Sequence, residues 1–117
     1  MNASDVQSLL ALHCVPRKGK EAALAGSEID RWLAALPEWK AADGRDAISR
    51  TFRFPDYFHT MAFVNAVASV AHREDHHPDL EVGYNRCHVA YSTHDVGGLS
   101  LNDFICAARV DDLLAKG

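Results

Sequence analysis

The sequence predicts a single α+β domain in the order αββαββα, with a four-stranded antiparallel sheet and its helices packed on one face. Three observations carry this. Ile29, Trp32, Leu33 and Leu36, and later Phe63, Val64, Val67, Val70 and Ala71, recur at helical spacing. Ile48, Phe52 and Phe54 share one parity, while Leu80, Val82 and Tyr84, then Cys87, Val89 and Tyr91, alternate as strands do. Turn residues, Asp43-Gly44-Arg45-Asp46 and Asn85-Arg86, divide those strands into two hairpins. Two hairpins separated by helices build an antiparallel sheet with one face left for the helices to cover.

The elements follow in order. Residues 1–26 stand apart as an N-terminal extension, partly ordered at most: Pro16, Gly19 and Gly26 interrupt them, and only Val6, Leu9 and Leu10 suggest a helix. The domain proper is residues 27–117. Ser27-Glu28-Ile29-Asp30 resembles a capping box and opens a helix that Pro37 stops. Trp39 to Ala42 and Ala47 to Phe54 form the first hairpin, with Gly44 at the centre of its turn. Asp56, after Pro55, is the expected N-cap of a long helix. Pro78 disfavours helical backbone at His77, so that helix ends near Asp75 or His76. Ser100-Leu101-Asn102-Asp103 opens a last helix to about Ala115. Its apolar residues exceed one stripe, which predicts burial on two sides, a subunit interface being one way to supply the second.

Composition narrows the function. The chain has 117 residues, 48% of them hydrophobic, and a formal net charge of −4. A weakly acidic chain lacks the clustered cations that nucleic acid requires, and Arg17-Lys18-Gly19-Lys20 is too short a run to supply them; it reads as a solvated linker. No apolar stretch approaches the ~20 residues that span a bilayer. Cys14, Cys87 and Cys106 are odd in number and far apart, which fits a reducing, cytoplasmic setting.

The chemistry concentrates in AHREDHHPDL, residues 71–80. His72 and His76 are neighbours on one helix face if the last turn holds, while His77 lies beyond the break that Pro78 enforces. His94, in Ser92-Thr93-His94-Asp95, follows the last strand, and Asp103 lies in the first turn of the last helix. If the strand ends come together there, three imidazoles and a carboxylate line one pocket with no evident serine or cysteine nucleophile. That set suits proton transfer. On spacing alone the capping acid is the better reading of Asp103. His72 and His76 have metal-helix spacing, but Arg73 stands where an H-E-x-x-H motif has glutamate, so no metal is expected.

These residues resemble the pterin-4a-carbinolamine dehydratases, also known as dimerisation cofactors of a homeodomain transcription factor. The pattern is filled by His72, then His76-His77-Pro78, Tyr84, His94 and Asp103, and the phrases SRTFRF and STHDVGGLSLND are similar to the family's. The resemblance covers about residues 27–115. It implies removal of water from a 4a-hydroxytetrahydropterin without metal or organic cofactor, with a pterin as small-molecule partner, no direct nucleic acid or membrane partner, and a homodimer or homotetramer. It also implies His76 and His94 as acid/base residues, His77 as the pterin-orienting residue, Asp103 in support, and His72 and Tyr84 as supporting or substrate-binding positions. An oligomeric binding or regulatory module of the same fold is the alternative. Two positions depart from the family's habit: His72 replaces a frequent glutamate, and Leu80 replaces a frequent aromatic that could form a pocket wall.

Overall fold

The computed structural model describes residues 3–115. Its elements are α1 (Ala3–Leu10), α2 (Gly26–Ala35), β1 (Lys40–Ala41), β2 (Ile48–Arg53), α3 (Tyr57–Glu74), β3 (Asp79–Val82), β4 (Arg86–Tyr91) and α4 (Leu101–Ala115). The four strands form one antiparallel sheet in the order β1-β2-β4-β3.

Register sets the core. Ile48 lies opposite Tyr91, Phe52 opposite Cys87 and Leu80 opposite Val89, so the alternating apolar residues share one face. All but Leu80, which packs at the margin, are buried with Phe63 and Val67 of α3 and with Phe104 and Ile105 of α4. Burying a large apolar side chain contributes roughly 1.5–3 kcal/mol, which makes this face the main source of stability. The opposite face is polar, and across it Thr51 Oγ1 hydrogen-bonds His88 Nδ1 at 2.8 Å.

Local signals place most element ends. Asp56 Oδ1 accepts the His59 N–H at 2.9 Å, the expected cap of α3. At α4, Ser100 Oγ accepts the Asn102 N–H at 3.3 Å and Asp103 Oδ2 accepts the Ser100 N–H at 2.9 Å. Two details differ from the sequence reading. Helix α2 begins at Gly26, so Ser27 is inside it; Glu28 reaches back to the Ala25 N–H, and an alanine side chain returns no bond. Strand β1 has only two residues. In the first turn Arg45 takes the left-handed conformation, with φ 56°. Its Nη2 meets Asp30 at 2.6 Å, a contact that helps to offset the conformational cost.

From Ala3 the N-terminal segment packs on the rest of the domain. Leu9 of α1 is 0% exposed, and Asp5 pairs with Arg31 of α2 at 2.9 Å. Beyond α1 the chain runs along α4 as a strap. Cys14 N–H donates to Glu74 Oε1 at 2.7 Å, and His13 Nδ1 meets Glu74 Oε2 at 3.0 Å. Asn102 Nδ2 donates to the Val15 carbonyl at 2.7 Å, and Arg109 Nη2 donates to the Leu12 carbonyl. Cys14 Sγ lies 3.5 Å from Cys106 Sγ. Burial pushes the Glu74 carboxyl up, but the Cys14 and His13 hydrogen bonds and the Arg109 charge outweigh it, and the group is held below its ordinary range. The second apolar side of α4 is therefore covered by the chain's own N-terminus, and its burial does not require a subunit interface. Periodicity missed this because the anchors are remote in sequence: Cys14 and Glu74 are 60 positions apart.

Candidate active site

The site begins where α3 ends. Asp75 takes the left-handed conformation, φ 52° and ψ 43°, and its N–H returns to the Ala71 carbonyl. This reversal ends the helix at Glu74, before the Pro78 restriction applies. It also separates His76 from His72, so the expected i, i+4 pair does not form; His72 stays exposed on α3 and lines no part of the cleft. Consecutive side chains now diverge. Glu74 is buried against the strap, Asp75 borders the cleft, and His76 turns toward α4.

His76 Nε2 lies 2.7 Å from Asp103 Oδ1, and its ring stacks on Tyr91 with centroids 5.7 Å apart and planes 9° apart. Asp103 is 0% exposed. Its other oxygen, Oδ2, accepts from Thr93 Oγ1 at 2.7 Å and from the Ser100 N–H at 2.9 Å. Thr93 Oγ1 spends its proton on Asp103, so at 2.8 Å it accepts from the Ser100 hydroxyl. A carboxylate only accepts, which places the imidazole proton on Nε2. Nδ1 bonds to no described residue and is not sealed from solvent. The buried network thus holds one tautomer and leaves one imidazole lone pair facing outward. Asp103 thus caps the helix through Oδ2 and contacts His76 through Oδ1.

His76, His77 and His94 line one open cleft of about 250 Å³, bordered by Asp75, Asp79 and Asp95. His94 is presented by a single turn, His94–Val96, closed by the Gly97 N–H on the His94 carbonyl at 3.0 Å. A second compartment of about 220 Å³ shares His76 and Asp95 with the first, and the strap residues Val15, Pro16 and Arg17 wall it. Tyr84 is elsewhere: it sits at the β3–β4 turn, the far end of the hairpin from His77 and His94, is 65% exposed and stacks on Tyr57. Leu80 packs against the core instead of forming a pocket wall. Sequence reasoning did not single out Tyr91, Thr93 or Ser100 as support for His76. Thr93 adjoins His94 and Ser100 is a cap by its type, yet their convergence on Asp103 needs the Thr93–Gly98 bridge that folds the intervening loop back.

Fold and cleft together define a small α+β protein with an open cleft lined by three histidines. The model of the pterin 4 alpha carbinolamine dehydratase family matches residues 22–113, and the chain belongs to that family. It is 55% identical over 114 residues to a Xanthomonas campestris pv. campestris (strain 8004) protein provisionally named pterin-4-alpha-carbinolamine dehydratase, covering 97% of each chain. A Stenotrophomonas maltophilia (strain K279a) protein of the same provisional name is 56% identical over 110 residues, covering 94% of this chain and 95% of its own. Among solved structures, the transcriptional coactivator/pterin dehydratase from Brucella melitensis superposes with a TM-score of 0.75 at 35% identity, covering 78% of this chain and 97% of that one. A pterin dehydratase-like protein identified as a RuBisCO assembly factor in the alpha-carboxysome superposes with a TM-score of 0.57 at 25% identity, covering 65% and 88%. Among the described residues no helix is long and apolar enough to cross a membrane.

Proposed function

We propose that this protein dehydrates a 4a-hydroxytetrahydropterin to the quinonoid dihydropterin, with histidines moving the protons. The observation that carries the reading is the buried Asp103–His76 pair opening onto a cleft that His77 and His94 share. In the reaction a proton reaches the 4a-hydroxyl oxygen, the C4a–O bond breaks and water departs. The N5 lone pair forms the new C4a–N5 double bond, and the N5 proton goes to a base. His76 suits the base role, since Asp103 fixes its Nε2–H tautomer and leaves Nδ1 free. His94, which lines the same cleft, suits the acid, and His77 orients the ring. Asp103 is a positioning residue. Each well-placed proton transfer contributes roughly 10²–10⁴-fold.

The alternative, a binding module of the same fold, draws on the assembly-factor neighbour. The histidine set favours the enzyme, because an interaction surface has no need of a tautomer-fixed imidazole in a cleft. The test is the rate of dehydration of freshly generated 4a-hydroxytetrahydropterin, followed by absorbance, for wild type and for His76→Ala, His77→Ala and His94→Ala. Acceleration by wild type and a loss of roughly 10²-fold or more in His76→Ala are expected. Near-normal rates in all three variants would defeat the scheme.

A further inference from the structure

The second compartment is walled by a segment that the family's model does not reach: the match begins at residue 22, and the wall is residues 14–17. What this segment brings is a cation. The two compartments meeting at His76 are bordered by Glu74, Asp75, Asp79 and Asp95, and the one lysine or arginine among their lining residues is Arg17. Arg17 is half-buried, and its Nε donates to Asn102 Oδ1 at 3.2 Å. Asn102 is itself buried and fixed, since its Nδ2 holds the Val15 carbonyl and its Oδ1 also accepts the Val15 N–H at 3.3 Å. It immediately precedes Asp103 in α4, so the residue that seats the arginine adjoins the one that seats His76. Both terminal nitrogens of Arg17 lack a partner among the described residues.

We infer that Arg17 is a substrate-binding residue whose free guanidinium edge donates to the pyrimidinone carbonyl oxygen of a pterin. This rests on the dehydratase reading and extends it to a residue outside the family's core. The chemistry is that of a planar fork whose two terminal N–H groups converge on the two lone pairs of one ring carbonyl, a geometry that a lysine does not reproduce. A strap that only fastened α4 would need the Val15 and Cys14 bonds, and would gain nothing from an arginine with two unused nitrogens beside His76.

The test compares wild type with Arg17→Ala, Arg17→Lys and, as a charge control outside the site, Lys18→Ala. Three quantities are read: KM and kcat for 4a-hydroxytetrahydropterin, the Kd for 7,8-dihydropterin by titration, and the thermal midpoint. Removing a hydrogen bond from a charged donor should raise KM and Kd roughly ten- to hundredfold in Arg17→Ala, with kcat changed by no more than about threefold. Arg17→Lys should fall between, and Lys18→Ala should match wild type. A lowered thermal midpoint with unchanged KM and Kd would overturn the inference and make Arg17 a fastener, while leaving the dehydratase reading intact. Pterin binding that weakens in Arg17→Ala without any dehydration by wild type would uphold Arg17 and sink the reaction. Wild type that neither binds dihydropterin nor speeds dehydration would overturn both.

Discussion

Asp103→Asn is the sharpest perturbation of the site, because the network dictates what the amide must do. Two donors, the Thr93 hydroxyl and the Ser100 N–H, converge on Oδ2, and the second belongs to the backbone and cannot rotate away. The asparagine oxygen must therefore take that side. Its NH₂ group then faces His76 Nε2, which has to offer a lone pair, so the imidazole proton moves to Nδ1. The ring keeps its place on Tyr91 and loses the base that faces the cleft. Stability falls by about 1.5–3 kcal/mol for one lost charge-assisted bond, within the ~5–15 kcal/mol margin of a small domain. Asp103→Ala would instead strand three buried donors at ~1–3 kcal/mol each and confuse unfolding with catalysis. The expected result is a folded Asn variant with kcat reduced roughly 10²–10⁴-fold. Nitrogen-15 chemical shifts of the His76 ring would report the exchanged tautomer directly. A folded Asn variant with wild-type kcat, or an unchanged tautomer, would refute the reasoning.

Other outcomes follow from the strap and the sheet. Leu9→Ala should cost ~2–5 kcal/mol in denaturant unfolding, as expected for a fully buried leucine; a loss under about 0.5 kcal/mol, typical of a surface site, would mean that α1 adds nothing to the core. Glu74 is held below its ordinary range, so its contribution is complete above that range and is lost as pH falls through the depressed value. Hydrogen exchange at residues 12–17 should accelerate on acidification in wild type, and Glu74→Gln should lack that acid-dependent step. Tyr84→Ala should stay within about threefold of wild-type kcat/KM, since it changes an exposed position remote from the cleft.

The sequence was most informative where cause and effect are neighbours in the chain. Asp56 caps the His59 amide three residues on, Ser100 and Asp103 close a box within one turn, and the parity of Ile48 and Phe52 puts both in the core. It was least informative where the decision is made across space. In the first turn Arg45 is left-handed and tied to Asp30 of α2, a pairing that no local pattern announced. Helical spacing paired His72 with His76, but the reversal at Asp75 parts them. The histidines of the cleft were legible because they lie in two short clusters. Their support, Thr93 and Tyr91 from the end of β4 and the strap on Glu74 and Asn102, depends on sheet register and on contacts 60 or more positions apart.

The strap also bears on how far the chain can be shortened. Cutting at residue 22, where the family's shared core begins, would spare every strand and all three cleft histidines. It would also bare the side of α4 that carries Cys106, and leave the paired Glu74 and Arg109 facing solvent without the backbone groups that now bond to each. The trimmed protein would carry a fresh oily groove bordered by a charge pair, an invitation to stick to its own copies. A preparation of that length that aggregates or turns over slowly would be reporting a missing wall, not a defective catalytic core.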